Sequence, residues 1–231
     1  MSHSIKAMIL AAGRGNRLRP LTDTLPKPLV EVCGKPLIVY HLEKLAEAGI
    51  REVVINHAWL GDKIESALGD GSRWNLQIHY SPEPEGGLET AGGIIRALPK
   101  LGDQPFIVVN GDVFTDFDFH ELVRQAQELN DRSELHACLN LVPNPAHNRS
   151  GDFGIDEAGK LLQQGDLTFS GLSVLNPQVF AGIEEGFIPL APILRTSAEQ
   201  GKVLGRSFNG YWSDVGTFER LQQTEQDAGC R

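Results

Sequence analysis

The chain has 231 residues, 41% hydrophobic and 22% charged, with a formal net charge of −9, enough apolar material for one sizeable core. The acidic balance, without a basic block or basic–aromatic interleaving, argues against non-specific binding to nucleic acid or to an anionic membrane surface. Cys33, Cys138 and Cys230 are scattered and form no C-x-x-C pair, so neither a disulfide framework nor a zinc site is expected, and free thiols fit a cytoplasmic location.

In chain order, IKAMIL (5–10) is a continuous apolar run, the pattern of a strand buried on both faces. It is short for a signal-peptide core and leads directly to Arg14 and Arg17, so neither a leader nor a membrane span is expected. KPLIVYHLEKLAEAGI (35–50) has helical spacing: Leu37, Tyr40, Leu42, Leu45 and Ala48 fall near one face, Pro36 suits a first turn and Gly49 a stop. There follow a strand at EVVIN (52–56), a short helix at LGDKIESAL (60–68) and a strand at LQIHYS (76–81). ETAGGIIRAL (89–98) reads as a helix weakened by two glycines, FIVVN (106–110) as a buried strand ending in Gly-Asp, and FHELVRQAQEL (119–129) as an amphipathic helix. This alternation predicts right-handed βαβ units and a parallel sheet. Beyond residue 130, ELHACLNLV (134–142) and LTFSGLSVL (167–175) read as strands with little helix between them, and 189–200 and 217–227 as helical. The expected class is α/β, a mixed, mostly parallel sheet flanked by helices, with an antiparallel portion in the second half and no repeat or linker.

The loop after the first strand, LAAGRGNRLRPLTDTLPKPLVEV (10–32), holds two glycines, three arginines, one lysine and three prolines. Ligands of open α/β sheets bind at the carboxyl ends of the strands. Glycines there let backbone N–H groups approach a phosphate, and Arg14, Arg17, Arg19 and Lys27 can supply counter-charge. In an acidic chain, such a cluster points to an anionic ligand. The pattern G-x-G-x-x-L at 13–18, with Asn56 and His57 where a ribose-binding acid would stand, disfavours a dinucleotide-dependent oxidoreductase, and no G-K-[ST] completes a Walker loop.

L-A-A-G-x-G-N-R-L-R-P-L-T followed by P-K-P-L-V resembles the signature of the sugar-1-phosphate nucleotidyltransferases. Val109-Asn110-Gly111-Asp112 looks like that family's strand-end G-D motif, and Trp212-Ser213-Asp214-Val215-Gly216-Thr217 like its D-V/I-G-T motif. The matching elements run through nearly the whole chain in family order. NHAWLGDKIE (56–65), GDGSRWNLQIHYSPE (69–83), VVNGDVFTD (108–116), GDF (151–153) and LTFSG (167–171) are most similar to the short uridylyltransferases acting on N-acetylmuramic acid 1-phosphate in cell-wall recycling. The resemblance implies a Rossmann-like nucleotidyltransferase fold with a small sugar-binding lobe. It implies one domain over 1–231, with a nucleotide-binding part at about 1–130 and a sugar-binding part at about 131–231.

It further implies transfer of a nucleotidyl group from a nucleoside triphosphate to a sugar 1-phosphate, with Mg²⁺ held by Asp112 and Asp214. Arg17 would neutralise the β- and γ-phosphates, and Lys27 would lie against the α-phosphate or the sugar phosphate. Ala11, Ala12, Gly13 and Gly15 would form the backbone wall for base and ribose, with Asn110 at a neighbouring strand end. Glu83 or another acid of SPEPEGGLETAGG (81–93) would read a base N–H, with Gly86 or Gly87 donating to a carbonyl. Asp152, Ser170, Gly171 and Trp212 fall in segments the family uses around the sugar, and Arg149, with His147 behind it, would meet a lactyl carboxylate. UMP transfer from UTP is preferred. Glucose-1-phosphate thymidylyltransferase, mannose-1-phosphate guanylyltransferase and a catalytically inactive nucleotide-sugar sensor are the alternatives. The expected state is a cytoplasmic monomer or weak homodimer.

Overall fold

A computed structural model describes residues 4–230. In chain order it contains β1 (Ala7–Leu10), α1 (Leu21–Thr24), β2 (Glu31–Val32), β3 (Lys35–Pro36), α2 (Leu37–Glu47), β4 (Glu52–His57) and α3 (Gly61–Leu68). Next come β5 (Gln77–Pro82), α4 (Glu89–Leu101), β6 (Phe106–Asn110), β7 (Val113–Thr115), α5 (Phe119–Asp131) and β8 (Ala137–Pro143). The chain ends with β9 (Phe153–Ile155), β10 (Leu161–Leu175), α6 (Leu190–Glu199), β11 (Val203–Ser207), β12 (Trp212–Asp214) and α7 (Phe218–Asp227).

The main sheet runs in the order β11-β8-β10-β6-β1-β4-β5, with β9 paired to β10. β1 pairs in parallel with both β4 and β6, and β4 with β5. β10 is antiparallel to β6, β8 and β9, while β11 returns parallel to β8. The sheet is therefore mixed and mostly parallel, as the alternation of elements predicts. Central strands bury both faces, which is why 5–10 and 106–110 are apolar without alternation. Ala7 and Ile9 pack with Ile38, Leu42 and Leu122 in one core layer, whereas Met8 packs with Ile94 and Leu194 in the other. Helices α2, α3 and α5 thus cover one face and α4 and α6 the opposite face.

Six strands fall outside the pattern read from the sequence. β2 and β3 have two residues each and β7, β9 and β12 three, too few for a period to register, and β11 is a five-residue edge strand, Val203–Ser207. β10 starts at Leu161, well before the expected 167, because its first part is an exposed ribbon paired with β9. β7 and β12 form a separate two-stranded sheet.

The cysteine reading needs correction. Cys33, in the β2–β3 turn, and Cys230, after α7, are joined as a disulfide across 197 residues, and Cys138 alone is free and buried. Spacing along the chain carries no sign of this pair. Their Cα atoms come within 5.0 Å only because α7 folds back onto the hairpin, and that distance suits a disulfide. Among the described residues no helix is long and apolar enough to cross a membrane.

Candidate active site

The aligned carboxyl ends of β1, β4 and β6, where Leu10 faces Asn56 on one side and Asn110 on the other, open into a cleft of about 510 Å³. Its walls include Ala11, Ala12, Gly13, Gly15, Arg17, Lys27, Glu83, Gly87, Asn110 and Asp112. Residues from separate segments of the chain are thus gathered on one edge, where this class of sheet binds ligands.

The loop after β1 is fixed by short polar contacts. Ala11 N–H donates to Asn56 Oδ1 at 2.9 Å, and Thr22 Oγ1 donates to the Gly15 carbonyl at 2.8 Å. Arg14 lies over the Trp59 ring at 3.5 Å and pairs with Asp23, which also takes Arg19 at 2.8 Å. These two arginines therefore have a counter-ion within the loop. Arg17 lines the cleft without an ion pair to another described residue. Lys27 is nearly buried and its Nζ donates to Asp112 Oδ2.

The β7–β12 pair brings the backbones of the two aspartate segments together. Asp214 stands opposite Val113, and Val215 N–H donates to the Asp112 carbonyl at 2.8 Å. Asp214 Oδ2 meets Arg220 Nη1 at 3.1 Å, and Oδ1 lies 3.1 Å from His147 Nε2. That second contact lacks hydrogen-bond geometry, so Oδ1 is a buried acceptor without a partner. Among the described residues no group of three or more His, Cys, Asp or Glu forms a complete metal cage. Asp112 lines the cleft and Asp214 the smaller cavity beside it, and the orphaned oxygen of Asp214 is the kind of hard acceptor that suits a cation taking its remaining ligands from water and phosphate.

At the base end, Glu83 is a strut. Its Oε1 accepts from Asn56 Nδ2 at 2.6 Å, and its Oε2 accepts from Leu88 N–H at 2.8 Å. Gly87 N–H donates to the Pro84 carbonyl, so of the two glycines suggested as base donors only Gly86 has no such backbone bond. The sugar candidates divide. Gly171 sits in a bulge of β10 with φ of 79°, and a Cβ there would stand 2.7 Å from Asn110; it allows β10 to close on the end of β6. Asp152 accepts from Asn148 Nδ2 and Phe169 N–H, and buried Ser170 bonds to the Asn140 carbonyl and Leu172 N–H. Trp212 donates to the Ser170 carbonyl and, with His147, Asp214 and Arg220, lines a smaller cavity of about 190 Å³. Arg149 is exposed and lines neither cavity.

Two residues at the site, Arg220 and Phe187, carry no motif that marks them in the sequence, and His147, expected near a sugar carboxylate, lies 3.1 Å from Asp214. Arg220 follows the D-V-G-T stretch by three residues, one helical turn past Thr217, and that spacing was the available signal. Phe187 is exposed at the cleft mouth, on a segment bonded to the start of α4 through Ile188. Behind the site His41 is fully buried beside Phe119. Burial pushes its pKa down to about 4; the Asp112 charge opposes this and Lys44 adds to it.

Residues 6–229 match a family model described as Nucleotidyl transferase. An N-acetylmuramate alpha-1-phosphate uridylyltransferase of Neisseria meningitidis is 55% identical over 231 residues, spanning 98% of this chain and 99% of that protein. A protein of the same description from Caulobacter vibrioides is 33% identical, spanning 91% of each chain. A Bacillus anthracis structure described as a glucose-1-phosphate thymidylyltransferase, in complex with sucrose, superimposes with a TM-score of 0.85. It is 22% identical and covers 97% of this chain and 95% of that one. At that identity the shared property is the fold.

Proposed function

The chain belongs to the nucleotidyl transferase family, and from that premise we propose that it transfers UMP from UTP to N-acetylmuramic acid 1-phosphate, releasing pyrophosphate. The observation that carries the reaction is the convergence of Arg17, Lys27, Asp112 and Gly216 on one cleft, with Asp214 bonded alongside. The acceptor rests on the relative that is 55% identical over nearly its whole length.

The chemistry suits these residues. The attacking group is a phosphate oxygen already largely ionised at neutral pH, so no general base is required. An oxygen–phosphorus bond forms at the α-phosphorus while the bond to the β-phosphate bridging oxygen breaks, and pyrophosphate leaves with that electron pair. The protein's task is to hold two mutually repelling anions in line and offset their charge. Arg17 meets the departing phosphates. Lys27, held beside Asp112, faces the α-phosphate or the acceptor phosphate. Asp112 and Asp214 would hold a divalent cation, Mg²⁺ in this reading, which supplies charge neutralisation at the reacting phosphates when bound. The wall of Ala11, Ala12 and Gly13, with Glu83 and Gly87 behind it, takes the nucleoside, and residues near Asn110, Gly171 and Trp212 take the sugar.

The proposal includes a single domain with the nucleotide at about residues 1–130 and the sugar at about 131–231. UTP as donor argues for a cytoplasmic enzyme, working as a monomer or weak homodimer in cell-wall recycling. A pyrophosphate-release screen crossing four nucleoside triphosphates with several sugar 1-phosphates tests it. The expected best pair is UTP with N-acetylmuramic acid 1-phosphate. Preference for glucose or mannose 1-phosphate overturns the acceptor, and release with no pair overturns the reaction. Exposed Arg149 remains the candidate for the lactyl carboxylate. Arg149→Ala is expected to narrow the preference over N-acetylglucosamine 1-phosphate by about 10- to 100-fold, read by competition kinetics; an equal loss with both acceptors assigns the carboxylate elsewhere.

A further inference from the structure

We infer that Arg220 is a second guanidinium for the pyrophosphate group, acting beside Arg17. This rests on the nucleotidyl-transfer reading and assigns a residue that the signature motifs leave out. Arg220 lies in the first turn of α7, where its N–H donates to Thr217 Oγ1, the helix cap. Its side chain is largely buried, and Nη1 pairs with Asp214 at 3.1 Å. Nε and Nη2 are buried and have no hydrogen-bond partner. A guanidinium carries five donors in a fixed fork and stays charged, and leaving buried donors unpaired is unfavourable. One carboxylate oxygen does not account for them.

The position of the free donors indicates what they await. A Cβ on Gly216 would stand 2.1 Å from Arg220 Nη2 and 3.1 Å from Arg17 Nη2. Two like-charged forks therefore share one space, kept open by a buried glycine that itself lines the cleft. Among the described residues no ion pair explains the approach: Arg17 has no carboxylate partner, Lys27 takes Asp112, and Asp214 meets only one of Arg220's three nitrogens. A doubly phosphorylated anion does explain it, because its oxygens can accept from both forks at once. Arg17 reaches it from the loop after β1 and Arg220 from α7, so the leaving group bridges the first and last segments of the site.

Calorimetric titration of inorganic pyrophosphate, with Mg²⁺ and again in EDTA, tests this on wild type, Arg220→Ala and Arg220→Lys. Reverse-reaction kinetics give KM for pyrophosphate and for the UDP-sugar separately. Expected are about 10- to 100-fold weaker pyrophosphate binding in Arg220→Ala, partial recovery in Arg220→Lys, and a KM for UDP-sugar within about 2-fold of wild type. Unchanged pyrophosphate affinity in folded Arg220→Ala overturns the assignment. So does an equal loss for both ligands, which marks a structural role, or a loss confined to Mg²⁺-containing buffer, which makes Arg220 only a support for Asp214. If Arg220→Ala does not fold, Arg220→Lys decides alone: it keeps a charge for Asp214 but lacks the second arm, and wild-type pyrophosphate affinity in it overturns the assignment. Failure of the underlying reaction is read separately, as wild-type protein that makes no nucleotide sugar in the substrate screen.

Discussion

Asp112 and Asp214 illustrate how single residues near the cleft meet a local charge that the chain as a whole does not dictate. Each is countered by a cation of the chain itself, Lys27 for the first and Arg220 for the second, although the protein carries a net charge of −9. Asp112→Asn and Asp214→Asn keep the shape and remove the charge. In the proposed reaction each should lower kcat by about 10²-fold or more, measured as pyrophosphate release at saturating substrates; near-normal kcat in both would remove the carboxylates from the chemistry. His41 gives a second prediction. Its pKa is depressed in the folded protein, from 6.5 to about 4, so between those values the unfolded chain binds the extra proton. Its contribution to stability is complete above about pH 6.5 and falls as the pH drops towards 4, by up to roughly 3 kcal/mol. Thermal unfolding from pH 7 to 4 should show this loss, and His41→Leu should flatten it. An unaltered slope would mean that carboxylates alone set the acid limit.

At the scale of elements, the site depends on pieces too short to stabilise themselves. The β7–β12 pair has three residues per strand, and a lone two-stranded sheet is marginal in water. It is held by its surroundings: Val215 is buried with Leu18, Val30 and Leu37, Thr115 Oγ1 donates to the Tyr211 carbonyl, and α7 is tied by Cys230 to Cys33. Closing so long a loop is worth typically about 2–4 kcal/mol. A reducing agent, or Cys230→Ser, should therefore lower Tm by roughly 5–15 °C, and the released segment should show faster amide exchange at α7 than at β1. A Tm unchanged by reductant would show that packing alone holds α7. Expecting three free thiols was reasonable from spacing, because nothing local distinguishes Cys33 and Cys230 from Cys138. The helices were legible for the opposite reason: α2, α4 and α5 each bury several residues of one face, and that periodicity is written along the chain.

At the scale of the molecule, one sheet runs through both parts of the proposed nucleotide and sugar division. β10, from the second part, lies directly between β6 of the first and β8 of the second. Phe106 and Val108 share a core layer with Ala137, Leu139 and Leu175. Neither part can separate without exposing that layer and the β6–β10 ladder. A single cooperative transition is expected in calorimetry, with equal calorimetric and van't Hoff enthalpies under non-reducing conditions. Two resolved transitions would mean that the parts fold independently.

Order and type of the main elements, the loop rich in glycine and cations, and the two aspartate motifs were all readable in the sequence, because buried periodicity and local turn chemistry act between near neighbours in the chain. Tertiary structure alone decided which of four loop cations face the cleft: Asp23 and Trp59 claim Arg14 and Arg19, leaving Arg17 and Lys27. It also decided that Glu83 braces the cleft wall, that Asp152 ties its own loop to β10, that Cys33 meets Cys230, and that Arg220 comes to lie behind Arg17. Each of these contacts, apart from the Asp23 and Glu83–Leu88 pairs, joins residues far apart in sequence. Their strength depends on burial and on distances of a few ångströms, and those quantities exist only once the sheet has brought the strand ends to one edge.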